Sequence, residues 1–554
     1  MNHLFARSQR VYTGSALIIL LLVVVGASMP EAFGNGADAA LTWISHYFGW
    51  LYLVSVFGFV LFLFGLALSR YGKIRLGEPY SDPEYSFFSW VSMLLAAGFG
   101  VGLVFYGLAE PLQQYLNPPP FGSIEPESAE SARYAIQYSF FHWGIHQWAA
   151  FSIVGLIVAY FQFRKKKSGL VSTVLRPMTN KLPEKSRRSV GDALNIFAVV
   201  ATVMGVATSL GLGVLQLNGG MNQVFGIPDS TLSKFVILAI MCACYTVSSY
   251  SGLDKGIQWL SNINLTVCIG LLLWVLLTGP TVFILNTIVV GIGDYIQNFI
   301  NMSLEMNPFE PEGEKWMNNW TVFYWAWVIA WSPFVGTFVA RISKGRTIRE
   351  YVFGVLIVPP LLACAFIGIL GGAGLHIELF GEGGLAAATD ENITSALFSF
   401  FEMMPFGMVL SVVSMFLIFI FLVTSADSAS YIVAQLTDEG SLEPPLYKRL
   451  SWGLLISAIC LTLIMASGLK GLQTASLLAA LPFLIILYLM IVVLFRELQD
   501  DRRRMLMDLY ERHESMPVGA DAFEARDILY DAWDDDDLED ADEEGGRSRA
   551  RAQD

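Results

Sequence analysis

Glycines occupy alternate positions in Gly98-Phe99-Gly100-Val101-Gly102, in the middle of a long apolar run. Each costs about 1 kcal/mol against alanine in a helix interior. Such a run either packs closely against a neighbouring helix or unwinds. A membrane tolerates unwinding only where the freed carbonyls line a cavity and can hold an ion or solute. Downstream, Phe141-His142-Trp143-Gly144-Ile145-His146-Gln147-Trp148-Ala149-Ala150-Phe151 places Trp148 and Phe151 on one helical face, with Trp143 a little over one turn earlier. These rings are either core or interfacial packing or a cage for a cationic head group. Tyr324-Trp325-Ala326-Trp327-Val328-Ile329-Ala330-Trp331-Ser332-Pro333-Phe334-Val335-Gly336 supplies a second aromatic cluster. Pro333 removes a backbone donor there, which predicts a second helix break. Thr424-Ser425-Ala426-Asp427 offers two hydroxyls that either coordinate Na⁺ or bond back within their own helix.

Other chemistry finds less support. His142 and His146 stand one helical turn apart, but no Glu follows His142 and no third ligand is apparent, so no metal beyond sodium is expected. No nucleophile–base pair or phosphate loop stands out, so we expect no catalytic residue, no cofactor and no enzyme. Glu110 and Asp427 are carboxylates in or near the membrane, which are either functional or structural caps and pairs. The five cysteines fall inside apolar runs, where a thiol behaves as a small hydrophobe rather than as part of a disulfide framework.

Membrane helices must position these groups. Of the 554 residues, 54% are hydrophobic and 15% charged, and the mean hydropathy is +0.53, more apolar surface than a soluble fold can hide. Apolar runs predict an all-α polytopic protein of about twelve spans, near residues 13–33, 49–70, 87–115, 135–163, 190–217, 234–251, 259–284, 318–342, 352–375, 406–436, 451–467 and 474–496. Arg7 and Arg10 precede the first, which reads as an uncleaved span rather than a signal peptide. Cations follow the even-numbered spans, at Arg70 to Arg75, Arg164 to Lys167, Arg341 to Arg349, Lys448 with Arg449, and Arg496 with Arg502 to Arg504. The positive-inside rule then places both termini in the cytoplasm, across the cell (inner) membrane. Residues 34–48 and 376–405, on the opposite side, contain no Lys or Arg. Residues 288–302 mix apolar and polar positions at helical spacing, the pattern either of a helix on the outer surface or of an ordinary connector.

The expected organisation is a cytoplasmic N-terminus over 1–12, a transport domain over 13–496 and a cytoplasmic segment over 497–554. That last segment carries Arg502 to Arg504 and Arg512, then an acidic, low-complexity tail from Asp534 to Glu544 that reads as disordered; it is either a solvated anchor and tail or a regulatory arm whose arginines sense anionic lipid or cytoplasmic ions. The tail accounts for much of the formal charge of −14, and nucleic acid is not an expected partner.

The glycine run followed by Gly107-Leu108-Ala109-Glu110-Pro111, the Phe-His-Trp span, and Trp-Ser-Pro-Phe-Val-Gly leading into Ala340-Arg341-Ile342-Ser343-Lys344-Gly345-Arg346 resemble the betaine/carnitine/choline transporter family. The resemblance covers nearly all of residues 10–495. It implies a leucine-transporter-like core of two inverted five-helix repeats, about 87–285 and 318–496, preceded by two extra helices, usually as a homotrimer. It also implies a symporter for a small zwitterionic or quaternary-ammonium osmolyte, foremost glycine betaine, driven by sodium. Proton-coupled carriers or exchangers of carnitine, choline, a sulfonium osmolyte or ectoine are the alternatives within transport, and an osmosensor or receptor without net flux is the alternative outside it. Gly98, Gly100 and Gly102 match the family's substrate-site glycines, Trp143, Trp148 and Phe151 its aromatic box, and Trp327, Val328 and Trp331 its tryptophan cluster. Thr424 and Ser425, with Ala96 and Phe99, match one sodium site, and Thr202 and Phe334 match a second. The chain departs from the family pattern at Phe151 (often Tyr), Val328 (typically Trp) and Val206 (Thr). It keeps Gly102, where choline and carnitine carriers often have Asp, and that favours sodium over a proton relay.

Overall fold

The computed structural model describes residues 2–79, 81–98, 100–121, 124–251 and 254–514, with the side chains of 2–8, 95–98, 251, 254–261 and 506–514 outside that description. The acidic tail and Phe99 lie outside the described residues.

The main helices are α1 (Asn2–Ser28), α2 (Pro30–Leu68), α3 (Phe87–Gly98), α4 (Val101–Leu116), α5 (Ala129–Trp143), α6 (Ile145–Ala159) and α7 (Glu184–Phe225). They continue as α8 (Thr231–Ser251), α9 (Asp254–Thr278), α10 (Thr281–Gln297), α11 (Phe323–Ile342), α12 (Ile348–Phe380), α13 (Gly407–Leu436) and α14 (Leu446–Glu514). Among the described residues nine helices are long and apolar enough to cross a bilayer, ten if the bent pair α9–α10 counts as one span. This makes the protein an all-α, multi-pass membrane protein.

The count differs from the expected twelve for two visible reasons. The third span is split into α3 and α4, each under 18 residues. The last two expected spans form one run, α14, kinked where Ser467 and Gly468 leave helical geometry. Boundaries shift as well. α2 begins at Pro30, suited to a first helical turn because its missing N–H has no partner to lose there, so residues 34–48 are helix rather than loop. α9 ends at Thr278, and after Gly279-Pro280 the chain turns by 111° into α10, which starts before the surface helix expected at 288–302.

The expected break at Pro333 is absent, and α11 runs unbroken through it. Proline deprives the Ile329 carbonyl of its usual donor, but the Ser332 hydroxyl donates to that carbonyl at 2.7 Å. The break lies instead in the fourth span, at Gly144, where ψ of −144° separates α5 from α6.

Close helix crossings hold the centre together. A Cβ on Gly205 of α7 would stand 2.7 Å from the Trp331 backbone nitrogen. One on Gly155 of α6 would stand 3.0 Å from the Gly336 carbonyl oxygen of α11. Small residues thus bring the backbones of α6, α7 and α11 into contact.

On the side carrying Arg75 and Arg346, two loops pair like strands. Leu76 N–H donates to Arg346 O at 2.8 Å, Gly345 N–H to Leu76 O at 2.8 Å and Ile348 N–H to Ile74 O at 2.9 Å. Gly345, at φ +84°, takes the left-handed turn this pairing needs. Arg346 lies 4.2 Å from the Trp90 ring centroid, and burial lowers its pKa from the usual guanidinium value. At the far end, Asp501 and Glu497 of α14 pair with Arg164 (2.7 Å) and Lys165 (2.9 Å) at the end of the fourth span.

Candidate functional site

α11 carries Phe323, Trp327, Trp331 and Phe334 at helical spacing, and their rings stack along one face. Successive centroids lie 5.9, 5.9 and 6.2 Å apart, with interplanar angles of 7°, 10° and 23°. Other helices meet this ladder edge-on. Trp143, the last residue of α5, approaches Trp327 at 6.0 Å and 82°. Phe151 of α6 approaches Trp331 at 5.5 Å and 83°, and Trp148 packs on Phe151 at 5.8 Å. Tyr106 of α4 lies 6.3 Å from Trp143 and 6.4 Å from Trp327.

The glycine run joins the same place. α3 ends at Gly98 and α4 starts at Val101, so the span is broken where expected. A Cβ on Gly102 would collide with Trp327 Cη2 and stand 3.2 Å from Trp143 Cη2, and one on Gly100 would stand 3.2 Å from Trp331 Cη2. The run is both broken and closely packed, since its glycines let rings approach the backbone. Gly100, Gly102, Trp143, Trp148, Phe151, Trp327 and Trp331 are therefore brought together. Gly98 ends α3, with its surroundings outside the described residues. Val328 is fully buried on α11, about 100° round the helix from Trp327, and adds no ring.

Glu110, with no exposed surface, hydrogen-bonds into this aromatic cluster. Its Oε2 accepts from Trp143 Nε1–H at 2.9 Å and the Tyr324 hydroxyl at 2.5 Å, while Oε1 accepts from Gln114 Nε2–H at 2.9 Å and faces His142 Nδ1 at 2.6 Å. Four partners from α4, α5 and α11 thus converge on one carboxylate, which supplies acceptors enough for all of them. His142 Nε2 faces Thr321 Oγ1 at 2.9 Å, in the π-turn Asn318–Val322 that leads into α11. His146 meets the Tyr295 hydroxyl and Ser303, so the nitrogens of both histidines are engaged by neighbours rather than turned to a common ion. The sequence contains the signal of Glu110 in an apolar run but not its partners, which come from other spans. Trp327 Nε1–H donates to Ser209 Oγ on α7 at 3.2 Å, a contact the sequence did not reveal.

The hydroxyls of Thr424 and Thr202, two of the residues expected to hold sodium, bond back to their own helices. Thr424 Oγ1 donates to Ile420 O at 2.9 Å and Thr202 Oγ1 to Ala198 O at 2.7 Å, leaving their lone pairs as acceptors. A Cβ on Gly213 of α7 would touch both Leu422 of α13 and Val101 Cγ1, the latter at 2.7 Å, which brings α13 beside the start of α4 near Thr424 and Ser425. Ser425 is half-buried, while Phe99 and the Ala96 side chain lie outside the described residues. Thr202 and Phe334 flank the Gly205–Trp331 crossing, and Val206 is buried beside it. Asp427 accepts hydrogen bonds from Ser248 and Ser249 of α8.

The sequence model for the BCCT, betaine/carnitine/choline family transporter, matches residues 10–503. An ectoine/hydroxyectoine transporter of Virgibacillus pantothenticus is 49% identical over 90% of this chain and 98% of its own length. A glycine betaine transporter of Bacillus subtilis is 44% identical over 87% of this chain and 93% of its own. A high-affinity choline transport protein of Escherichia coli K12 is 36% identical over 89% of this chain and 72% of its own.

Proposed function

The chain belongs to the betaine/carnitine/choline transporter family, whose members are transporters and not enzymes, and from that premise we propose that it imports a compact zwitterionic osmolyte, foremost glycine betaine, on a sodium gradient. The observation that carries this reading is the seating of Gly102 against the rings of Trp327 and Trp143, which puts a backbone break and aromatic faces in one place. A quaternary ammonium over an indole face gains about 0.5–2 kcal/mol per contact. A carboxylate a few bonds away then reaches the first turn of α4, where unpaired N–H groups and the helix dipole favour an anion. Sodium, in this proposal, is held by the hydroxyls of Thr424 and Ser425 with the carbonyls of Ala96 and Phe99. The approach of α13 to Val101 supports that placement.

A second substrate reading has its own support. Phe151 lacks the hydroxyl and Val328 the ring of the family pattern, and the 49%-identical relative is an ectoine/hydroxyectoine transporter. Ectoine spreads its positive charge over a planar amidinium, which one stacked face accommodates without a complete cage. Uptake of labelled glycine betaine and ectoine into proteoliposomes, each competed by the other and run with and without a sodium gradient, separates the cases. Uptake indifferent to sodium removes the coupling proposal, and saturable binding without accumulation removes transport in favour of a receptor.

A further inference from the structure

The fourth span carries the cage on both sides of its break, with Trp143 just before Gly144 and Trp148 and Phe151 after it. The angle between α5 and α6 at Gly144 therefore sets how far these rings stand apart. Helix α10, 150 residues along the chain, fills the break. A Cβ on Gly144 would stand 2.9 Å from both Cε1 and the hydroxyl oxygen of Tyr295, so the tyrosine occupies the space a side chain would take. The Ile145 N–H, freed by the break, donates to that hydroxyl at 3.1 Å.

The chain of bonds continues with a fixed polarity. Ser303 gives its one proton to Phe299 O at 2.6 Å, so its oxygen accepts from His146 Nε2–H at 2.7 Å. The neutral imidazole is left an acceptor at Nδ1, which takes the proton of the Tyr295 hydroxyl 3.0 Å away. The Phe299 ring lies 4.5 Å from the His146 ring, closing the circuit. Alongside, Arg133 grips Asp294 with two bonds of 2.6 Å, and Gly291 of α10 presses on Ile136 and Phe140 of α5. α10 is thus fastened to α5 along its length, and its Tyr295 enters the joint itself.

We propose that Tyr295 is a positioning residue for the transported solute: its hydroxyl fixes the α5–α6 angle at Gly144 and through it the spacing of Trp143 from Trp148 and Phe151. This rests on the aromatic cage as the transport site. Solutes with head groups of different size respond differently when the joint loosens, so Tyr295 helps set selectivity without touching the solute.

The test compares Tyr295→Phe with wild type and with Trp331→Ala, measuring uptake of labelled glycine betaine and ectoine in proteoliposomes. Losing the hydroxyl leaves the Ile145 donor unpaired, so KM should rise about tenfold with Vmax within about twofold. The ratio of the two KM values should shift by about threefold or more, a readout that general loosening of the fold would not produce. Unchanged KM and ratio in Tyr295→Phe, with uptake lost in Trp331→Ala, overturns the inference and leaves the cage intact. Uptake unaffected by Trp331→Ala overturns the cage, and the inference with it. If Tyr295→Phe does not reach the membrane, Ser303→Ala removes only the acceptor at the far end of the chain. A KM increase of about threefold is then expected, and none overturns the inference.

Discussion

Glu110→Leu is the substitution whose cost follows most directly from geometry. Leucine keeps the bulk but offers no acceptor to the four groups that converge on the carboxylate. The Tyr324 hydroxyl can rotate away, but the buried Trp143 indole N–H can only donate. Trp143 therefore loses a bond to a charged acceptor, about 1.5–3 kcal/mol. A loss of about 3 kcal/mol at the proposed site corresponds to roughly a hundredfold in KM. In a Trp143→Phe background that donor is already gone, so the same substitution should cost about 2 kcal/mol less, and that difference is the coupling. Uptake kinetics in proteoliposomes and melting in detergent for the four proteins of the cycle give this coupling by two measures. An equal penalty in both backgrounds refutes the claim that Glu110 holds the cage through the Trp143 indole.

Gly102→Ala should reduce uptake more than tenfold, because its Cβ meets Trp327 and Trp143, whereas Gly100→Ala meets only the tip of Trp331 at 3.2 Å and should be milder by about 1 kcal/mol; uptake assays rank them. Ser332→Ala should lower stability by about 1 kcal/mol by leaving the Ile329 carbonyl unpaired, and adding Pro333→Ala, which restores an N–H, should recover it, as followed by thermal melting. Val328→Trp forces a large ring into a fully buried position and should cost about 1–3 kcal/mol in melting stability; an undiminished melting temperature would show room for the ring the family pattern carries there.

Membrane class and the broken third span were legible in the sequence because both depend on local composition. Alternate glycines in an apolar run weaken a helix wherever they occur, and α3 and α4 part within Gly98–Val101 as expected. The Trp and Phe positions were legible for the same reason, since helical spacing alone puts Trp327 and Trp331 on one face. Pro333 misled because its effect is cancelled by its neighbour: one serine hydroxyl replaces the donor the proline lacks. Gly144 was passed over because its break is stabilised by Tyr295 from another helix, and nothing in Trp143-Gly144-Ile145 announces that partner. Glu110 was visible as an anomaly, but its role depends on Trp143, His142 and Tyr324 arriving from two other helices. Local weakness can be read along the chain, whereas compensation by a distant side chain needs the folded arrangement.

The ring ladder of α11 also gives the protein an optical probe of its own. Trp327 and Trp331 lie nearly parallel at 5.9 Å, close enough for excitation to migrate between them. In the proposed site, a cation settling over either indole would perturb the emission of the pair. Among the 14 tryptophans this couple would then report solute entry by intrinsic fluorescence, in the unmodified chain and without a label, and emission indifferent to added solute would count against the proposed site.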